Sequence, residues 1–469
     1  MAIQDVSRPT GARGANAPLE PRARFRRRSA ISDLLVIAAW TSGAVAAALY
    51  LASGGLNDVH DVAGFLTALG IVAGLIGTDF ILLMLVLAAR VPVIDRAVGH
   101  DRAIGLHRQL GKPALYLILG HGALLLIGYG MADGINPIAE IGPMLALPDM
   151  ITALIGTALL IAVVVTSLVA VRRKFPYEFW HVIHLLSYAA VLFALPHQLS
   201  IGGTLADGTV QRVYWIGLYV VALGAIVVFR FGVPIVRSLR HDVRVERVEW
   251  IAPDVASIHL TGTRLGALGA GGGQFLTWRF WTAGTWWHAH PLSLSAVPTS
   301  NQARITVRVQ GSGTRRLTAA KPGTRVSFEG PYGIFTDAAR TSPRLAIVAA
   351  GIGITPARAL LEGSRLRPGE ATVLLRSSTD DEAFLWRELT ELAEAQGARL
   401  FAMVGPRARG SWMSERDAAR GVTLRSVFPE LLDSDLYICG PQAWVDSVAA
   451  EARQLGLPEH QIHSESFEL

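Results

Sequence analysis

Residues 150–171 read MITALIGTALLIAVVVTSLVAV, a run without one charged side chain. At a rise of about 1.5 Å per residue such a helix is ~33 Å long, enough for a hydrocarbon core of about 30 Å. Working outward, five more stretches of similar apolarity lie at 31–52, 62–89, 110–131, 178–197 and 213–231. The stretch at 178–197 is the weakest by hydropathy because it carries His181, His184 and His197. Nearly all of the excess behind a hydrophobic content of 51% sits before residue 232. The sequence therefore predicts a six-helix transmembrane bundle over 31–232, followed by a soluble half.

Loop charge sets the expected orientation. Lys or Arg occur before the first span and in the segments 90–112, 172–174 and 230–244, whereas 53–61, 132–148 and 198–211 carry none. The positive-inside rule then places both the N-terminus and the C-terminal half on the cytoplasmic side of the cell membrane. Residues 1–30, rich in Arg, Ala and Pro, read as a disordered basic N-terminus. A cleaved signal peptide is disfavoured, because the apolar run that follows is as long as a span and more spans come after it. The net charge of +6 comes largely from clusters beside spans, such as Arg24, Arg26, Arg27 and Arg28. With no aromatic-rich basic stripe or zinc spacing, it reads as a topology signal rather than a nucleic-acid surface. The single cysteine, Cys439, excludes intrachain disulfides, cysteine-ligated iron–sulfur clusters and two-cysteine haem attachment.

Ionisable residues inside a span are expensive and need a reason. His107 and His121 lie 14 residues apart on the third span, and His184 and His197 lie 13 apart on the fifth. Either spacing is ~20 Å along a helix and about four turns, which returns the two side chains to nearly the same face. The third and fifth spans run in the same direction. His107 and His184 are then level near the cytoplasmic side, and His121 and His197 near the outer side. Neutral imidazole suits haem iron, so the four predict two stacked bis-histidine haems of b type. His181 has Ala194 and Leu195 at the matching distances and is left out. Asp79, the other intramembrane charge, reads as a haem neighbour, a proton-path residue or a hydrogen-bonded packing group.

From about residue 242 short alternating strands at 243–248, 257–260 and 304–309 predict a small antiparallel barrel. From about residue 344 strands alternate with helices: 345–349 then 356–361, 371–375 then 382–394, and 436–439 then 442–455. That is the pattern of an α/β nucleotide-binding unit. His290-Pro291-Leu292-Ser293 ends one strand, and Gly311-Ser312-Gly313-Thr314 follows another as a turn of small residues open to a diphosphate. Ala350-Gly351-Ile352-Gly353-Ile354-Thr355-Pro356 joins an apolar strand to a helix, as a dinucleotide phosphate loop does, without the full Rossmann spacing. Tyr437-Ile438-Cys439-Gly440-Pro441 ends a further strand. Each cluster alone is also what an ordinary strand end looks like.

Taken in order, these motifs resemble the ferric reductase and NADPH oxidase superfamily, a six-helix haem domain fused to a ferredoxin–NADP reductase-like flavoprotein. The resemblance runs from about residue 31 onward and includes Glu329-Gly330-Pro331-Tyr332-Gly333 and Glu465-Ser466-Phe467. It implies an FAD-binding β-barrel over 240–338 and an NAD(P)-binding α/β domain over 342–469. It also implies that His290, with Pro291 and Leu292, lies at the FAD diphosphate and Ser293 near the reactive flavin nitrogen. Gly311, Gly313 and Thr314 would complete the cradle. Gly351, Gly353, Thr355 and Pro356 would line the nucleotide site, with Cys439, Gly440 and Pro441 near the nicotinamide and Phe467 over the flavin. Ser293, Cys439 and Phe467 are thus the expected catalytic residues. The family often has an aromatic residue where Leu292 stands, so stacking on that flavin face is expected to be weaker. Arg376-Ser377 ends the second strand of the α/β unit, where an arginine suits a 2′-phosphate, and this favours NADPH over NADH.

The expected activity is transmembrane electron transfer: a hydride from NADPH to FAD, then single electrons through two haems to an acceptor on the outer face. Oxygen stands ahead of a ferric chelate as that acceptor, because the outer loops offer few polar residues and no carboxylate cluster. One rival is a membrane sensor or transporter with a redox-responsive flavodomain and no haem. Another is an enzyme that donates electrons to a separate outer-face protein. Protein partners and oligomeric state are not legible.

Overall fold

The computed structural model describes residues 21–467 except 58, 173, 176 and 202. Contacts divide the chain into two units: Ile31–Phe231, and Gly232–Leu469 together with Met1–Ala30. The first is helical, with α1 (Pro21–Ala52), α2 (Val62–Ala88), α3 (Pro92–Ala97), α4 (His100–Ala132), α5 (Pro137–Leu145), α6 (Met150–Ser167), α7 (Val169–Arg172), α8 (Tyr177–Ser200) and α9 (Val210–Ala225). Past α9 the helix continues through a π-helical stretch, Ile226–Gly232, into α10 (Val233–His241). Among the described residues, six helices are long and apolar enough to cross a membrane, in agreement with the sequence: α1, α2, α4, α6, α8 and the run Val210–His241.

The differences are local. Residues 21–30, expected to be disordered, form the first turns of α1, while residues 1–20 lie outside the described residues. Arginine and alanine are good helix formers, Pro21 stands at the first helical position, and the apolar run propagates the helix from there. The third span begins at His100 rather than near 110, which carries His107 into the helix. Pro92 and Pro137 open two short helices, α3 and α5, that hydropathy does not reveal.

Small residues let the helices approach closely. A Cβ added at Gly70 would lie 3.1 Å from the Cβ of Leu124, and one at Gly77 would lie 3.0 Å from that of Leu117. A Cβ at Gly156 of α6 would come within 2.8 Å of the Ala190 carbonyl on α8. Small residues at such interfaces are the usual basis of helix association in lipid. Asp79 is directed elsewhere: its Oδ1 accepts from Ser42 Oγ of α1 at 2.5 Å, and the side chain is buried. This contact supports packing for one carboxylate oxygen, while the other, Oδ2, is buried with no hydrogen-bond partner among the described residues.

The second unit begins with two three-stranded antiparallel sheets. Strands β1 (Arg244–Ala252), β2 (Val255–Thr261) and β5 (Gln302–Arg308) form one; β4 (His290–Ser293), β3 (Phe275–Phe280) and β6 (Val326–Tyr332) form the other. Single bridges, Arg244 to Arg325 and Leu294 to Ile305, join them into a barrel. Trp278, Phe280, Ile258, Leu260, Leu276 and Phe328 fill it. The helix α11 (Ser312–Thr318) lies between β5 and β6. A parallel sheet follows, built from β7 (Arg344–Ala350), β8 (Ala371–Ser377), β9 (Arg399–Val404), β10 (Ser434–Pro441) and β11 (Ile462–Phe467), in the order β11-β10-β7-β8-β9. Its helices include α12 (Ile354–Gly363), α13 (Trp386–Gln396), α14 (Glu415–Ala419), α15 (Leu424–Val427) and α16 (Gln442–Gln454). The strand order reverses between β7 and β10, the place in an open parallel sheet where ligands bind beyond the carboxyl ends.

Candidate functional site

Within the helical unit the four histidines meet in the expected pairs. The ring centroids of His107 and His184 are 6.0 Å apart, and those of His121 and His197 are 6.5 Å apart. Two imidazoles ligating one metal from opposite sides need roughly 6.3 Å between centroids, taking a metal–nitrogen bond of about 2.0–2.1 Å and half a ring width on each side. The residues present therefore fit bis-histidine haem. His107 Nδ1 faces the Met84 carbonyl oxygen at 3.1 Å, and His121 Nδ1 faces that of Gly70 at 2.9 Å. A carbonyl there fixes the tautomer and leaves Nε2 for a metal. His184 is held by groups no motif advertises: Ser167 Oγ lies 3.3 Å from its Nδ1, and Trp180 stacks on its ring at 5.0 Å. Trp180 Nε1 also donates to Ser167 Oγ at 3.1 Å. Gly74 makes room for His121, since a Cβ there would lie 2.5 Å from Nδ1. Among the described residues, no group of three or more His, Cys, Asp or Glu could hold a metal ion.

In the barrel, β4 pairs with β3 so that His290 lies opposite Trp278 and Ser293 opposite Phe275. Two motifs distant in sequence come together: a Cβ on Gly313 would sit 3.1 Å from His290 Cε1. Burial, and then the neighbouring His288, push His290 below the usual histidine range, so its ring is neutral at pH 7. Its Nε2 and the Ser293 hydroxyl are buried with no hydrogen-bond partner among the described residues. Orphaned polar atoms are rare in a folded protein and fit groups that bond a bound ligand; here they fit FAD. Thr314 builds the turn, its hydroxyl accepting from the N–H of Gln310 at 3.0 Å and of Gly311 at 3.3 Å. Pro291 and Leu292 stay in the β4 ladder opposite Thr277 and Leu276.

At the carboxyl edge of the parallel sheet, Gly351 to Gly353 form a tight turn between β7 and α12. Thr355 closes it by donating to the Ile352 carbonyl at 2.9 Å, and Pro356 stands in the first turn of α12, where its missing N–H costs little. A Cβ on Gly353 would lie 2.3 Å from the Cys439 carbonyl oxygen, so this loop rests directly on the end of β10. Strand β11 runs alongside in parallel, setting Cys439 opposite Glu465, Gly440 opposite Ser466 and Pro441 opposite Phe467. Phe467 packs on the apolar cluster that contains Ile354, Tyr437 and Cys439. The three segments thus converge, and Glu465 joins Cys439 by a strand register the sequence does not state.

Burial, and then the Glu465 carboxylate, push the Cys439 thiol well above its usual range. Native protein at neutral pH is therefore expected to resist iodoacetamide, while urea-unfolded protein takes up one equivalent. Rapid labelling of the folded protein, read by mass spectrometry, would contradict that environment.

Arg376 departs from expectation. It is buried, and its guanidinium donates to the carbonyls of Ser377 and Gly405, the second at 2.6 Å. Ser377 Oγ donates to the Thr379 carbonyl at 2.7 Å. Two nitrogens of Arg376 tie the ends of β8 and β9 together, while its Nε is buried with no hydrogen-bond partner among the described residues.

Residues 73–195 match the family model described as ferric reductase like transmembrane component. Ferredoxin–NADP reductase B of Sorangium cellulosum is 31% identical over 169 residues, which cover 34% of this chain and 68% of that protein. The ferredoxin–NAD(+) reductase component of the alkene monooxygenase system of Xanthobacter autotrophicus is 30% identical over 168 residues, 35% of this chain and 51% of that protein. The ferredoxin reductase component of 3-ketosteroid-9-alpha-monooxygenase from Rhodococcus rhodochrous is 27% identical over 201 residues, 42% of this chain and 55% of that protein. The chain thus spans about two thirds of the first relative and about half of the other two. It is a membrane oxidoreductase in which a ferric-reductase-like transmembrane component is joined to an FAD- and NAD-binding half that belongs to the ferredoxin–NAD(P) reductase family.

Proposed function

We propose that this chain carries electrons from cytoplasmic NAD(P)H through the bilayer to an acceptor on the outer face. The observation that carries the reading is the pair of facing histidine couples, at 6.0 and 6.5 Å, with the α4 members held by backbone carbonyls. When bound, FAD takes a hydride from the nucleotide and releases single electrons, and haem accepts and passes them one at a time. His107 with His184, and His121 with His197, would hold one haem each. His290 and Gly313 would receive the FAD diphosphate, and the Ser293 hydroxyl would bond the flavin. Gly351, Gly353, Thr355 and Pro356 would seat the nucleotide, with the neutral thiol of Cys439 and the Gly440-Pro441 turn beside the nicotinamide and Phe467 over the flavin. The Lys and Arg pattern of the loops supports a cytoplasmic N-terminus and a cytoplasmic flavoprotein half. Oxygen stays ahead of ferric chelate as the acceptor because, of the outer segments 53–61, 132–148 and 198–211, only the first places two carboxylates close together, Asp58 and Asp61.

The first test is an anaerobic absorption spectrum of purified, FAD-supplemented protein before and after NADPH, and separately NADH. Low-spin haem bands that become reduced are the expected result, and oxygen or ferric citrate is then admitted to identify the acceptor. Well-folded protein without haem would return the reading to a sensor or transporter. Haem that stays oxidised would discard the nucleotide-to-haem route.

A further inference from the structure

We infer that Arg358 is a positioning residue for hydride transfer, setting the distance between the nucleotide loop and the flavin strand. The inference rests on the flavoprotein reading above and adds a residue that no motif contains. Arg358 lies on α12, two residues after Pro356. Its guanidinium donates to the Ser295 carbonyl at 3.0 Å, two residues after Ser293. One side chain therefore joins the two half-sites that must bring nicotinamide and flavin together.

The joint is built rather than incidental. Arg358 Nε donates to Glu388 of α13 at 2.8 Å, and Nη1 donates to Glu362 at 3.0 Å. Glu388 also takes both Nη groups of Arg304, from β5 in the barrel, at 3.0 and 2.8 Å. Arg304 returns to Ser295, donating to its hydroxyl at 3.2 Å and its carbonyl at 3.1 Å. Ser295 is fully buried, and its hydroxyl also accepts from Thr306 at 2.9 Å. Glu362 completes the ring by accepting from the Val297 N–H at 2.6 Å.

Two guanidinium groups thus converge on one carbonyl, one from the barrel and one from the α/β layer. Their repulsion is offset by Glu388 between them. Burial raises the Glu388 carboxyl, but the two arginines outweigh it and hold the group below the usual carboxylate range. Charge-assisted bonds of this kind are roughly twice as strong as neutral ones, and a planar guanidinium meets several acceptors at once where an ammonium does not. Hydride transfer needs reacting atoms about 3–3.5 Å apart, and a misplacement of ~1 Å costs on the order of 10²-fold in rate.

The experiment mixes full-length, FAD-loaded protein anaerobically with NADPH or NADH and follows flavin bleaching. It reads the limiting rate, the half-saturating concentration, the isotope effect with nucleotide deuterated at the transferred position, FAD content and Tm. Arg358→Met is expected to lower the limiting rate roughly 10- to 100-fold and to raise the isotope effect, with FAD content and half-saturation little changed. Glu388→Gln is expected to move the same quantities in the same direction by less, and Arg358→Lys to recover part of the rate. Variants that keep the parental limiting rate and isotope effect while Tm falls would show a clamp that only stabilises, and the inference is overturned. If Arg358→Met does not fold, Arg358→Lys and Glu388→Gln decide the question by the same two readouts. A parent that neither nucleotide reduces overturns the flavoprotein reading itself, and that failure shows before any variant is made.

Discussion

Purified His121→Ala protein is expected to hold one haem against the two proposed for the parent, with the remaining haem still reduced by NAD(P)H. His121 supplies one of the two imidazoles of its pair, and its ring is fixed by the Gly70 carbonyl at 2.9 Å and by the space left at Gly74. Alanine removes the ligand while the carbonyl, being backbone, stays. The His107 and His184 pair lies ~20 Å away along α4 and α8 and touches none of these groups. His107→Ala is expected to give the same stoichiometry with the opposite redox behaviour. It keeps one haem, reduced by dithionite but poorly by nucleotide, because the pair that the loop charges put on the cytoplasmic side has gone. Pyridine haemochrome assay and difference spectra read both quantities. Gly74→Ala adds a check without deleting a ligand, since its Cβ would press on the His121 ring and perturb that centre alone. Unchanged haem content in both histidine variants would falsify the bis-histidine assignment, and identical redox behaviour in both would remove the proposed order of the two centres.

Features written at short range are readable without coordinates. A span of about 20 apolar residues announces itself, and because the helical period is local, spacings of 13 and 14 place two histidines on one face. The strand–turn–helix pattern around Gly351 to Pro356 is equally local. What stays hidden depends on partners far along the chain. Arg376 occupies the expected strand end, but its guanidinium is used by the Gly405 carbonyl 29 residues on. Arg358 sits in no motif, because Ser295 and Glu388, which give it meaning, are 63 and 30 residues away. The helix expected to start at 382 begins at Trp386, since Asp380 to Glu382 form a turn and Arg308 draws Glu382 into an ion pair at 3.0 Å. Strand β11 escapes a sequence reading, because Ile462–Phe467 carries His463, Ser464, Glu465 and Ser466 and gains strand character only by pairing with β10. Thr314 and Thr355 look like ligand groups in the sequence, and their hydroxyls also complete their own turns, a local role the motif does not state.

The second large effect is expected at Gly353. Its backbone, with φ −60°, is open to any residue, so substitution there is a question of space alone. The space is absent: a Cβ would lie 2.3 Å from the Cys439 oxygen, 2.5 Å from its carbonyl carbon and 2.9 Å from the Gly440 nitrogen. All three are main-chain atoms of β10, which no rotamer change moves aside. Gly353→Ala must therefore separate the start of α12 from the end of β10, opening the edge where the Gly351 turn, Thr355 and Cys439 meet. Overpacking of this kind costs about 1–3 kcal/mol, and the displacement is on the scale that lowers reaction rates on the order of 10²-fold. Gly351→Ala makes the contrast. Nothing lies within 4 Å of its Cβ, but φ is +55°, so the expected loss is conformational, about 1–2 kcal/mol, with the loop left in place. Nucleotide-driven flavin bleaching should thus collapse in Gly353→Ala and largely survive in Gly351→Ala, while dithionite-reducible haem, which the helical unit would carry, is expected to stay constant in both. Parental rates in both variants would mean that the contact between this loop and β10 does not set the nucleotide site. A matching loss in both would instead make the left-handed turn at Gly351 the controlling feature.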